Sequence, residues 1–182
     1  MKVVAVLGNV TPHRGLLSAI RWFLDKGLPA EADTEVIDLS DKQLRFRSHK
    51  PGFRDDTAQV FARLREADAL IFATPAYEGG LGDSLTTLLY NLPLEAVASK
   101  PVGILAVGGT ADDFYSADWH LRSVLVWTDA FIAPASVHLR APNCLPKTLA
   151  ESERQELKQL ANWVAELASA VHDEETISIK GT

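Results

Sequence analysis

Three short apolar runs limit this chain to very few architectures. Residues 2–7 after their leading Lys2, and 69–73 and 102–107 throughout, are unbroken stretches of aliphatic residues with an occasional alanine, glycine or phenylalanine. Each is followed within two residues by glycine or proline and leads toward a helical pattern. Alternating polarity marks a strand with one wet face, whereas an unbroken run marks a strand buried on both faces, as in a parallel sheet. The run at 2–7 is too short for the core of a signal peptide, and it ends at Gly8.

The segments between the runs have the longer period of helices. Residues 15–26 place Leu16, Leu17, Ile20, Phe23 and Leu24 on one face. Residues 35–39 read as a second strand, and 40–53 as loop. Asp55 or Asp56 is positioned to cap a helix carrying Val60, Phe61 and Leu64. Asp83 or Ser84 is positioned to cap another that ends near Pro93. A helix over 114–127 and a strand within 131–139 follow. Ser152 and Gln155 form a capping box opening a last helix to about Val171. Residues 1–172 are expected to form one domain. Residues 173–182 are expected to be a tail, or an arm onto a neighbouring subunit.

Strands alternating with helices at this spacing imply βαβ units and a parallel sheet. The expected fold class is α/β: a flavodoxin-like three-layer α/β/α arrangement with a five-stranded parallel sheet, order 2-1-3-4-5. In such a sheet the ligand crevice lies at the carboxyl ends of the strands, where the strand order reverses. Three loops therefore matter: 8–15, 74–84 and 108–113.

Composition narrows the chemistry. A net charge of −6 argues against a nucleic-acid or anionic-membrane surface, and no apolar run approaches the ~20 residues that span a bilayer. Cys144 is the only cysteine, so no internal disulfide forms, and a reducing cytoplasm is the expected compartment. It reads as a structural thiol. His13, His49, His120, His138 and His172 are scattered without metal-ligand spacing, so no metal site is expected.

The first loop, Gly8-Asn9-Val10-Thr11-Pro12-His13-Arg14-Gly15, joins a strand to a helix start. Helix N-termini favour anions, so Asn9, Thr11, His13 and Arg14 are candidates for binding a phosphate. The plainer reading is a capped turn with an exposed arginine. The spacing is not the G-x-G-x-x-G of a dinucleotide fold. In the second loop, Pro75, Ala76, Tyr77, Glu78 and Gly79 precede Gly80 and Gly82. Glycines let backbone groups approach a flat ring and read the polar edge of a flavin. The alternative is a glycine-rich connection with a half-buried tyrosine. In the third loop, Gly108, Gly109 and Thr110 either approach the same ring or lead into a helix that Thr110 and Asp113 cap.

In this order and spacing the three loops resemble the NADPH-dependent FMN reductase family over roughly residues 1–170. The resemblance is strongest at Ala73-Thr74-Pro75-Ala76-Tyr77, Thr87-Leu88-Leu89, Leu92-Pro93, and Gly108-Gly109-Thr110 leading into residues 117–125. It implies FMN bound at the three loops and a hydride received from NADPH or NADH. Partners would be small-molecule flavin and nicotinamide, and in some relatives a monooxygenase that takes the reduced flavin. It also implies a homodimer or homotetramer formed through helices beside the flavin. The family's first loop usually reads G-S-x-R-x-x-S, where this chain has Asn9 and Thr11, with Arg14 nearby. Asp83 stands where glycine is common and Thr86 where lysine is common. Pointing outward or capping its helix, Asp83 does little harm; pointing inward it costs ~1 kcal/mol or more.

Two other readings remain: a quinone- or azo-type reductase with tightly bound FMN, and a non-catalytic flavodoxin-like protein that has lost flavin. Arg45, Arg47 and Arg54 could meet a 2′-phosphate or face water. The apolar excess of Trp119, Leu121, Val124, Leu125, Val126 and Trp127 suggests a subunit interface, whereas Trp22 and Trp163 suit ordinary helix packing.

Overall fold

A computed structural model describes residues 1–45, 55–76, 80–140, 144–145 and 147–180, with side chains described as far as His172. Six strands form one parallel sheet: β1 (Lys2–Leu7), β2 (Asp33–Asp38), β3 (Ala69–Pro75), β4 (Pro101–Gly108), β5 (Phe131–Ile132) and β6 (Val137–Arg140). The order β2-β1-β3-β4-β5 is the one the pattern predicts, and β6 is additionally paired to β4. Helices α1 (Arg14–Lys26), α2 (Thr57–Glu66), α3 (Asp83–Asn91), α4 (Ala111–Val126) and α5 (Glu151–Lys180) form the outer layers.

Alternate residues of the central strands feed two cores. Val3, Ala5, Leu7, Ile71, Ala73, Leu105 and Val107 pack with Leu16, Ile20 and Phe23 of α1 and Leu157, Leu160 and Val164 of α5. Val4, Val6, Leu70, Phe72, Val102 and Ile104 pack with α2, α3 and α4 through Val60, Leu64, Leu85, Leu88, Leu121 and Leu125. Burial on both faces is what the unbroken runs required. Trp22 and Trp163 pack at the margin of the first core.

The fifth strand departs from expectation. The run at 131–139 is broken into β5 and β6, with residues 133–136 between them. Pro134 has no N–H to give to the sheet. Arg122 of α4 reaches into the gap, donating from Nη1 to the Ala133 carbonyl at 3.2 Å and from Nη2 to Ser136 Oγ at 2.7 Å. Asp118, one turn earlier, accepts from Arg122 Nε and from the Ser136 hydroxyl. The break is thus held by a charge-assisted network from the helix above it.

Several helix ends also differ. Helix α4 begins at Ala111, not near Phe114, because Thr110 caps it: Oγ1 accepts from the Asp113 N–H at 3.2 Å and donates to Asp113 Oδ2 at 2.6 Å. Ser152 lies inside the first turn of α5, and Glu153 reaches back to the Ala150 N–H at 2.7 Å. Helix α5 continues to Lys180 rather than ending near Val171. Asp55 Oδ1 accepts from the Thr57 N–H, while Asp56 Oδ2 accepts from the Gln43 N–H, tying the start of α2 to the segment after β2.

Candidate functional site

The carboxyl ends of β1, β3 and β4 lie side by side, with Leu7 in register with Ala73 and Pro75 with Val107. The loops starting at Gly8, Ala76 and Gly109 therefore open on one edge. Two backbone bonds lock them: the Gly8 N–H to the Ala73 carbonyl and the Ala76 N–H to the Val107 carbonyl, both 2.7 Å.

Gly8 is required by packing. A Cβ there would stand 2.5 Å from Leu85 Cδ2 and 2.8 Å from Leu85 Cβ, so α3 could not approach β1. A Cβ on Gly108 would lie 2.9 Å from the Ala76 Cβ and 3.6 Å from His138 Nε2. One residue on, a Cβ on Gly109 would meet nothing within 4 Å among the described residues. Gly108 seals the junction of the second and third loops, whereas Gly109 is exposed and borders open space. A flat ligand has room at Gly109 and none at Gly108.

The first loop is arranged differently from the expectation of a row of phosphate donors. Asn9 is wholly buried. Its Nδ2 donates to the Thr11 carbonyl at 2.9 Å and to Asp38 Oδ1 at 3.0 Å, so both amide hydrogens are used within the protein. Its Oδ1 is buried without a partner. His13 is the N-cap of α1, and its Nδ1 accepts from the Leu16 N–H at 3.0 Å. Thr11 and Arg14 are exposed, and no acidic side chain lies in the first turn of α1. What remains to meet an anion is the Thr11 hydroxyl, the Nε2–H of His13, the Arg14 guanidinium and the start of the helix.

In the second loop Pro75 is the last, buried residue of β3, and Ala76 is half-buried beneath the third loop. Tyr77, Glu78 and Gly79 lie outside the described residues. Thr74 is buried, with its hydroxyl donating to the Pro75 carbonyl at 2.9 Å. Asp83 is the first residue of α3 and exposed, so its charge complements the helix start rather than entering the site. Thr110, a candidate ligand contact, spends its hydroxyl on capping α4.

Two residues absent from the sequence expectations belong to this edge. Asp38, at the end of β2, holds the Asn9 amide. His138, on β6, stacks on Phe114 of α4 with ring centroids 4.7 Å apart and planes 7° from parallel. Its Nε2 is buried without a partner beside Gly108. Burial, and next the Arg140 charge, push its pKa below the usual histidine value. Neither residue has a local sequence signal, since both arrive through pairing with distant strands. Cys144 sits under α1, with its Cβ 3.2 Å from where a Cβ on Gly15 would stand. Burial raises its thiol pKa, which suits the structural role. Arg47 and Arg54 lie outside the described residues. Among the described residues no group of His, Cys, Asp and Glu is arranged to hold a metal ion.

The family model for NADPH-dependent FMN reductase matches residues 1–142. An NAD(P)H-dependent FAD/FMN reductase of Geobacillus thermodenitrificans is 25% identical over 166 residues, covering 88% of this chain and 90% of that protein. An FMN reductase (NADPH) of Pseudomonas aeruginosa is 29% identical over 143 residues, covering 75% of each. Among solved structures, an NADH:FMN oxidoreductase in its apo form superposes with a TM-score of 0.72 at 21% identity, covering 93% of this chain and 89% of that one. A Streptococcus flavodoxin gives 0.66 at 20% identity, covering 91% and 99%. At those identities the structural likeness speaks for the fold.

Proposed function

The chain belongs to the NADPH-dependent FMN reductase family, and we propose that its three-loop edge holds FMN only loosely, as a substrate that is reduced and handed on. It is an oxidoreductase using FMN with NADPH or NADH. The observation that carries the proposal is the unequal furnishing of this edge. Open space at Gly109, beside the sealed contact of Gly108 with Ala76, suits a flat ring. The orphaned atoms Asn9 Oδ1 and His138 Nε2 suit a ligand with polar edges. At the anion end the Asn9 amide hydrogens are engaged within the protein, which leaves the Thr11 hydroxyl, the Nε2 edge of His13, Arg14 and the α1 start.

FMN, when bound, supplies the hydride-accepting ring. The residues present do the rest. Gly109 leaves the ring its room, Gly108 fixes the spacing between the second and third loops, and Arg14 faces the phosphate. In this reading Pro75 and Ala76 border the ring on its other side. His138 stands behind it, where burial disfavours its charged form.

The reduced flavin would pass to a flavin-dependent monooxygenase. A homodimer or homotetramer would form on α4, where Tyr115, Trp119, Val126 and Trp127 are 65–82% exposed while Leu121 and Leu125 are buried. A single buried cysteine, and the absence among the described residues of a helix long and apolar enough to cross a membrane, are consistent with the cytoplasm.

The test is direct. The purified protein should be nearly colourless, and NADPH oxidation followed at 340 nm should depend on added FMN. A yellow protein that reduces quinones or azo dyes without added flavin supports the tightly bound alternative. No flavin titration and no turnover would overturn both.

A further inference from the structure

We propose that the opposite end of the sheet carries a second ligand site, a cavity that takes a molecule with an apolar body and a single carboxylate, held by Lys100. The site is separate from the flavin edge, which lies about 20 Å away along the seven-residue β3.

The cavity has a volume of about 720 Å³ and is bordered by the segments that precede β1, β2, β3 and β4. Its remaining wall is α5. That helix buries Leu157, Leu160, Ala161 and Val164 against the sheet. Val164 lies over Gly103 near the start of β4, where a Cβ would stand 3.1 Å from Val164 Cγ2. Helix α5 nevertheless runs on to Lys180. Past Val164 it lines the cavity with Ala165, Ala168, Ser169 and His172, which share one helical face. Ala32, Ala67 and Ala98 line it from the loops. Small side chains on both sides leave a space within the range of small-molecule sites, about 300–1,000 Å³, and of their mainly apolar character.

The charges on the wall define the ligand's polar group. Most are already engaged. Glu66 pairs with Lys2 Nζ at 2.8 Å, Asp68 Oδ2 accepts from the Lys2 N–H at 2.6 Å, and Arg65 pairs with Glu95 at 3.0 Å. Lys100 differs. It is half-buried, and its Nζ donates to two neutral acceptors, the Leu64 and Arg65 carbonyls, at 2.6 and 2.7 Å. A third hydrogen remains. Among the described residues no carboxylate forms an ion pair with it, and burial pushes its pKa below the usual lysine value, which the Asp68 charge offsets only in part. A half-buried ammonium without a counter-ion gains from a ligand that brings one. The turn that delivers Lys100 is also constrained. Ser99 takes φ 60, which residues with a side chain seldom adopt, and its N–H is bonded to the Asp129 carbonyl at 3.0 Å. The ligand's charge is limited to one, because Asp68 and the exposed Glu31 on the same wall repel a second. Aliphatic and aromatic monocarboxylic acids share this chemistry.

The test is isothermal titration calorimetry with octanoate, naphthoate, their uncharged amides and the diacid octanedioate, with and without FMN. At least one of the two monoacids should bind about tenfold more tightly than its amide, whether or not FMN is present. Tighter binding of octanoate marks an aliphatic ligand, and of naphthoate an aromatic one. In Lys100→Gln the preference for acid over amide should vanish. Ala168→Phe fills the cavity and leaves Lys100 in place, so it should abolish binding of acid and amide alike with Tm nearly unchanged. The proposal is overturned if neither acid binds, if the amides bind as tightly as the acids, or if octanedioate matches octanoate. Displacement of the acid by FMN, or an acid preference that survives in Lys100→Gln, overturns it too. Should Lys100→Gln fail to fold, Ala168→Phe and the amide comparison on the unaltered protein decide the matter.

Discussion

Gly108 and Gly109 are adjacent and chemically identical, yet alanine should act oppositely at the two. At Gly108 the new methyl would lie 2.9 Å from the Ala76 Cβ, about 0.5 Å short of ordinary contact. That Cβ is fixed to the backbone and cannot rotate away. The Ala76 N–H is bonded to the Val107 carbonyl, so moving Ala76 also strains that bond. Overpacking of this kind costs about 2 kcal/mol. For a chain of this length that lowers Tm by roughly 4–8 °C. At Gly109 the methyl enters open space. Stability should stay within about 0.5 kcal/mol, or rise slightly because alanine restricts the unfolded chain. FMN affinity should nevertheless fall about tenfold, since the methyl occupies the space assigned to the ring. Thermal melts followed by circular dichroism, together with FMN titrations of both variants, give all the numbers. The reasoning is wrong if Gly109→Ala melts as low as Gly108→Ala, or binds FMN like the unaltered protein.

Three further outcomes follow from the same geometry. Above pH 6.5, the ordinary histidine value, His138 is neutral in both folded and unfolded chains and contributes no pH dependence. As pH falls through 6.5 the unfolded chain takes a proton that the folded chain resists, so stability declines until the folded group also titrates. Denaturant titrations from pH 8 to 5 should show this decline in the unaltered protein and less of it in His138→Gln. Lys100 Nζ donates to the Leu64 and Arg65 carbonyls at 2.6 and 2.7 Å, closing the end of α2, so Lys100→Met should cost about 1–2 kcal/mol in chemical denaturation. Trp119 is 77% exposed, so Trp119→Asp should leave Tm nearly unchanged while light scattering shows a shift toward monomer.

The sequence reveals what depends on neighbours along the chain. The buried runs of β1, β3 and β4 are legible because burial on both faces demands unbroken apolar residues. From them follow the sheet order and the edge where the loops meet. The division of labour within the loops is not legible. Asn9, His13 and Thr110 have side chains suited equally to a ligand or to the backbone. What settles Asn9 is Asp38, 29 positions away, while His13 and Thr110 simply cap the helices they precede. His138 is a lone strand histidine until β6 pairs with β4 and brings it against Gly108 and Phe114. The break between β5 and β6 is invisible for the same reason: Arg122 and Asp118, which hold it, lie a full helix earlier.

That break bears on how copies of this chain can meet. An outer strand normally exposes a row of backbone donors and acceptors on which another chain can extend the sheet. Here one margin consists of the two-residue β5 and the four-residue β6, separated by a segment containing Pro134. The opposite margin is β2, whose Asp33, Glu35 and Asp38 put carboxylates along the ribbon, with Glu35 drawing in Lys2 and Arg63. Neither margin offers a long, flat, uncharged template, so the hydrophobic sheet is shielded from strand-by-strand aggregation.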